Sequence, residues 1–170
     1  GKLVFRGRND NSQDVNYANI IAEAIDVSDG TEDGALKFYT YLTGANTETM
    51  VLRSANVGIG TNNPEQLLEI SATGDAAIQI QSTKTSLAND DPIGSIIFKN
   101  NDSSGTDHHI CGKVASIAET EYGRAGLAFS TGRTSEFAER MRIRWDGNIG
   151  IGTNAPAYLL DLYKSSGTNQ

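Results

Sequence analysis

The side chains able to do chemistry in this sequence are carboxylates, aromatic rings and one pair of adjacent histidines. Asp and Glu number 21 against 14 Lys and Arg, so acids are easy to find and hard to single out. Hydrolysis of a glycosidic bond needs two carboxyl groups roughly 5–9.5 Å apart. Glu119, Glu121, Glu139 and Asp146 are conceivable members of such a pair, yet no spacing selects two of them. Glu119 also lies where the sequence varies between two internal copies, whereas a duplicated active site would keep its acids. Aromatic rings offer a different chemistry, since the C–H face of a sugar stacks on them. Tyr39, Tyr41, Tyr122, Trp145 and Tyr158 are the glycan-binding candidates. His108 and His109 point to opposite faces if they lie on a strand, so sharing a metal within one chain is difficult, and an exposed loop is the simpler reading. Gly58-x-Gly60 and Gly150-x-Gly152 lack the third glycine of a dinucleotide fingerprint. No phosphate-binding loop, nucleophile elbow or zinc-protease motif occurs, and no cofactor or metal is expected.

The charge balance bears on partners. A net charge of −7 argues against a broad electrostatic footprint for nucleic acid or anionic lipid. Arg140, Arg142 and Arg144 alternate with apolar residues, which on a strand gives a solvated or interchain salt-bridging face. No apolar run approaches the ~18 residues of a membrane span, and no basic start precedes an apolar core. Cys111 is the single cysteine, so no intrachain disulfide forms, and it reads as a small buried apolar residue. Hydrophobic residues make up 38%, a low share for a compact domain, which makes association between chains the expected source of further buried surface.

What must position these side chains is a repeat. Val57-Gly58-Ile59-Gly60-Thr61-Asn62-Asn63-Pro64 returns as Ile149-Gly150-Ile151-Gly152-Thr153-Asn154-Ala155-Pro156 at an offset of 92. Leu67-Leu68-Glu69-Ile70 keeps step with Leu159-Leu160-Asp161-Leu162. Met50 aligns with Met141 and Phe38 with Phe129 at offset 91, and Phe5 aligns with Phe98 at offset 93. The two copies occupy residues 1–75, truncated at the N-terminal side, and 76–170. Because the strand expected at 76–81 has no counterpart before Gly1, the natural polypeptide is expected to continue in both directions.

The matched blocks alternate apolar and polar residues and are rich in β-branched and aromatic side chains. Residues 3–5, 35–41, 49–53, 76–81, 96–99, 126–130 and 140–145 therefore read as strands. Residues 9–16 and 100–107 read as turns, dense in Asn, Asp, Ser and Gly. The fold class is all-β, with tight turns and no helix at Pro64 and Pro156. Phe5, Phe38, Phe98 and Phe129 are expected in the core, and Trp145 is either core at a sheet end or an exposed platform. The glycines Gly58, Gly60, Gly150 and Gly152 leave one strand face bare, which permits close approach of another backbone or accommodates β-bulges within the chain.

The run Asp146-Gly147-Asn148-Ile149-Gly150-Ile151-Gly152-Thr153, followed by Pro156 and Leu160-Asp161-Leu162, resembles a motif that punctuates phage tail-fibre and tailspike repeats. The phrase Glu139-Arg140-Met141-Arg142-Ile143 before it belongs to the same resemblance. It covers both copies, with about 25 specific residues in each. The first copy departs from it, carrying Ser54-Ala55-Asn56 where the second has Trp145-Asp146-Gly147-Asn148. The resemblance implies a parallel homotrimer of intertwined β-repeats, a virion location and attachment to host cell-surface polysaccharide. It favours glycine packing between chains. Two other readings stay open: a polysaccharide-degrading tailspike segment, and a bacterial or prophage-derived surface adhesin.

Overall fold

A computed structural model describes residues 1–102, 110–119, 123–133 and 136–163. The chain is all-β, without a helix among the described residues, and forms two compact units, Gly1–Ile78 and Gln79–Gln170.

The first unit is one six-stranded sheet in chain order: β1 (Lys2–Arg8), β2 (Asp14–Asp26), β3 (Asp33–Leu42), β4 (Ala45–Arg53), β5 (Asn56–Ile59) and β6 (Leu68–Ile70). Its connections follow from turn chemistry. Asn9 accepts the backbone N–H groups of Asn11 and Gln13 on its carboxamide oxygen, closing the β1–β2 turn. Thr43 and Gly44, both at positive φ, turn β3 into β4. Ser54 and Ala55 have φ of 50° and 66° and turn β4 into β5, the left-handed pair that a two-residue hairpin requires. β5 and β6 then pair in parallel, Val57 opposite Leu68 and Ile59 opposite Ile70.

The second unit is again a six-stranded sheet in chain order: β7 (Pro92–Lys99), β8 (Ile110–Ala118), β9 (Ala125–Thr131), β10 (Ala138–Ile143), β11 (Ile149–Ile151) and β12 (Leu160–Leu162). Met50 lies opposite both Phe38 and Ile59, and Met141 lies opposite both Phe129 and Ile151. Ile149 pairs with Leu160 in the same parallel sense as Val57 with Leu68. The β10–β11 turn is longer than its counterpart. Gly147, at φ 87°, donates to the Arg144 carbonyl, and Asn148 closes the loop on the Arg144 N–H.

The core is thin. Val51 and Ala35 are buried in the first sheet, and Ala115, Ile117, Ala118 and Ala128 in the second. Several expectations are corrected here. Phe5 and Phe98 are 48% and 58% exposed, because β1 and β7 are edge strands paired on one side only. Phe38 and Phe129, on inner strands, are half-buried. Residues 76–81 form no strand: Ile78 and Ile80 alternate with glutamines as a strand would, yet their backbone joins neither ladder. Residues 14–16, read as loop, open β2, whereas Arg144 and Trp145 lie beyond the end of β10. Cys111 is exposed, since it sits near the start of β8 and burial in that strand falls on its far half.

The glycine motif packs against its own chain. A Cβ on Gly58 would lie 2.5 Å from the Thr61 carbonyl oxygen, and one on Gly150 would lie 2.3 Å from that of Thr153. Gly60 and Gly152 have φ of 73° and 78°, and a Cβ there would overlap the carbonyls of Ser71 and Tyr163. The favoured expectation of another chain's backbone at these faces is thereby corrected: the loop joining the two parallel strands fills the space at Gly58 and Gly150, and the residue just after the second of those strands fills it at Gly60 and Gly152.

Candidate functional site

The aromatic candidates fall in different places. Tyr39, on β3, is half-buried, and its hydroxyl donates to Glu48 Oε2 at 3.0 Å. Lys37 Nζ lies 2.6 Å from Glu23 and 3.4 Å from Glu48, so the acid bridges a phenol and an ammonium. Burial, reinforced by the hydrogen bond to Glu48, raises the Tyr39 phenol above its ordinary range. Lys37 is raised by the Glu23 carboxylate first, with Glu48 adding to it. Tyr41, two residues on, meets Tyr17 edge to face with ring centroids 6.2 Å apart.

In the second unit Trp145 sits in the β10–β11 turn, exposed, with the Arg124 guanidinium 3.9 Å over its ring. Of the two placements expected for Trp145, core at a sheet end or exposed, the exposed one is found, with a cation over one face of the ring. Tyr158 is exposed in the loop between β11 and β12. The structure makes no ring contact between any two of the aromatic candidates among the described residues. Tyr122, Glu121, His108 and His109 lie outside the described residues.

Three of the four conceivable acids, Glu119, Glu139 and Asp146, prove to be members of an ion network. Arg142, 5% exposed, occupies the register position opposite Gly150 that Val51 occupies opposite Gly58. It donates twice to Glu139, at 2.8 and 2.7 Å, and once to Asp90 at 2.9 Å. These partners hold its guanidinium well above even the usual arginine range, the Glu139 hydrogen bonds contributing most. Glu119, its side chain 2% exposed, accepts the Trp145 N–H at 3.1 Å and lies 3.4 Å from Arg144 Nε. Asp146 lies 3.5 Å from the Arg144 guanidinium. The arginine triplet is therefore not one solvated face. Arg142 is buried, Arg144 is half-buried, and only Arg140 is exposed. A buried charge survives only with close partners, and this one has three carboxylates within 4 Å.

Sequence reasoning passed over Glu48, Lys37, Tyr17, Arg124 and Tyr163. A signal for Glu48 was present, because it aligns with Glu139 at the offset of Met50 with Met141. Comparison with protein-family models and with curated proteins gives no match to this chain.

Proposed function

We propose that this chain is a structural and receptor-binding segment of a virion tail fibre, built of two tandem β-repeats and self-associated as a parallel homotrimer that attaches to host surface glycan. The observation that carries this reading is bare surface. Large apolar side chains stand exposed on the edge strands of both sheets: Leu3 and Phe5 on β1, Ile96 and Phe98 on β7. Water-exposed apolar edges of this kind are stable when a further chain covers them.

The tail-fibre motif adds the direction of the proposal, since its Ile-Gly-Ile-Gly-Thr run forms the β11 strand and the glycine loop that follows. Binding by such a fibre is a matter of avidity, several weak contacts on one rigid scaffold multiplying one another. Sedimentation or light scattering tests the assembly. A trimer mass is expected at micromolar concentration, and a stable monomer would remove the basis of the reading. Adhesion of the assembled protein to bacterial cells tests attachment. Release of reducing sugar from the host polysaccharide would transfer the chain to the degrading tailspikes.

A further inference from the structure

Among the pockets lined by described residues, one small polar pocket in each unit is built from the same positions as its counterpart. In the first unit Glu48, Gly60, Thr61, Asn62 and Ser71 line about 410 Å³. In the second, Glu139, Gly152, Thr153, Asn154 and Tyr163 line about 370 Å³. Four of the five pairs stand at offset 92, and the glutamates stand at offset 91. These volumes lie at the small end of the ~300–1,000 Å³ typical of small-molecule sites.

The fold explains why both pockets exist. The positive φ of Gly60 and of Gly152 turns the chain away from β5 and β11, beneath the carbonyl of residue 71 or 163. The Thr-Asn pair then faces the glutamate on the neighbouring strand. Both threonine hydroxyls cap their own loops, accepting the N–H of Asn63 and of Ala155. Both glutamates are held by a cation, but from different positions: Lys37 on β3 for Glu48, Arg142 on β10 for Glu139. A conserved arrangement reached through unlike supports is not explained by one shared salt bridge. The carboxamides of Asn62 and Asn154 have no hydrogen-bond partner among the described residues.

From this duplicated geometry we infer that the two pockets are matched subsites, each holding one neutral sugar ring. A carboxylate has four acceptor positions and each pairing here leaves some of them open, a carboxamide both donates and accepts, and a threonine hydroxyl does either. Together they fit the alternating donors and acceptors of neighbouring sugar hydroxyls. Each cation is shared with further carboxylates, Glu23 beside Lys37 and Asp90 and Glu119 beside Arg142, so both sites keep a negative balance that disfavours an anionic ligand. The subsites differ at one position, where Tyr163, 61% exposed, replaces Ser71. Its ring offers a stacking face, so the second subsite is the tighter of the two. The inference rests on the fibre reading for the source of the sugar, a host surface glycan, and it moves the binding site from the scattered aromatics to the loops after β5 and β11.

The test is a protein-observed NMR titration of the whole chain with D-glucose, D-galactose and N-acetylglucosamine in turn. At least one sugar is expected to shift the side-chain amides of Asn62 and Asn154 at millimolar concentration, with two sites per chain. Asn62→Ala and Asn154→Ala should each weaken their own site roughly tenfold, the worth of about one hydrogen bond, without lowering the melting temperature. Tyr163→Ser should bring the second site down to the affinity of the first. If none of the three sugars shifts either amide, or if the double Asn62→Ala/Asn154→Ala variant binds like the parent, the inference is overturned. Failure here is separable from failure of the fibre reading. A parent that is trimeric and adheres to cells, with a double variant adhering equally well, overturns the subsites alone. A monomeric parent that does not adhere overturns the fibre reading and leaves the sugar titration to decide the pockets.

Discussion

Gly58 and Gly150 each sit against a carbonyl oxygen of their own chain, with no room for a side chain. Gly58→Val and Gly150→Val should therefore cost ~1–3 kcal/mol in the unit that carries them, whatever the state of assembly. Thermal melts at several protein concentrations check this, and parental melting would refute the packing described. Ala55 is the opposite case, a residue with a Cβ held at φ 66° where glycine is at ease. The Ser54→Asn/Ala55→Gly double variant supplies the preferred hairpin pair and should stabilise the first unit by about 1 kcal/mol. Lys37 and Tyr39 set a pH dependence. Both are raised above their ordinary values of 10.5 and 10.0, Lys37 chiefly by the Glu23 carboxylate and Tyr39 chiefly by burial, with Glu48 adding to each. A raised group contributes stability below its unfolded-state value and loses it as pH rises through the folded one. The first unit should hold its stability to about pH 10 and decline above it. Glu48→Gln, which removes an acid both groups face, should flatten that alkaline decline in a denaturation series.

At the scale of elements, the ladders divide into those that alternation reveals and those that only the neighbouring strand reveals. β1, β3, β4, β7, β9 and β10 were legible in part from their period-two patterns, as were the turns at Asn9 and Pro64, whereas β2 and β8 were not read as strands. β6 and β12 are three residues each, too short for a period to register, and exist because the parallel partner is already in place. The stretch at residues 76–81 shows the converse, a strand pattern without a strand, because alternation records a tendency and not a partner. Side-chain placement was less legible still. Arg142 reads as a surface arginine until its three carboxylates, drawn from Asp90, Glu119 and Glu139, are brought around it by the sheet. Replacing it exposes the consequence: Arg142→Leu leaves the partly buried Glu139 without its cation and the buried Glu119 with Arg144 alone, and should destabilise the second unit by about 3 kcal/mol. Arg140→Leu, at an exposed position, should change stability by less than about 0.5 kcal/mol. Separate denaturation of the two variants distinguishes a buried network from a solvated face.

For the whole molecule, the exposed apolar side chains on the edge strands β1 and β7 argue that assembly and stability are linked. A melting temperature that rises with protein concentration is expected, because mass action favours the folded and associated form. Phe98→Asp on the β7 edge should lower the association constant more than it lowers the stability of an isolated unit. Sedimentation at graded concentration measures the first, and a denaturant melt at the lowest concentration measures the second. One topological feature bears on a different property, the response to mechanical load. In both sheets the strands follow one another in chain order, so the polypeptide enters along one edge and leaves along the opposite edge. A pull on the two ends of a unit then bears first on its weakest border, and that border is β6 or β12, joined by three paired residues. Their release frees the three-residue strand and the eight-residue loop behind it, at most roughly 35 Å of chain, while the four antiparallel pairings upstream stay closed. Each unit is thus built with a short extensible section ahead of its main sheet, able to lengthen under tension and to reclose when the tension is gone.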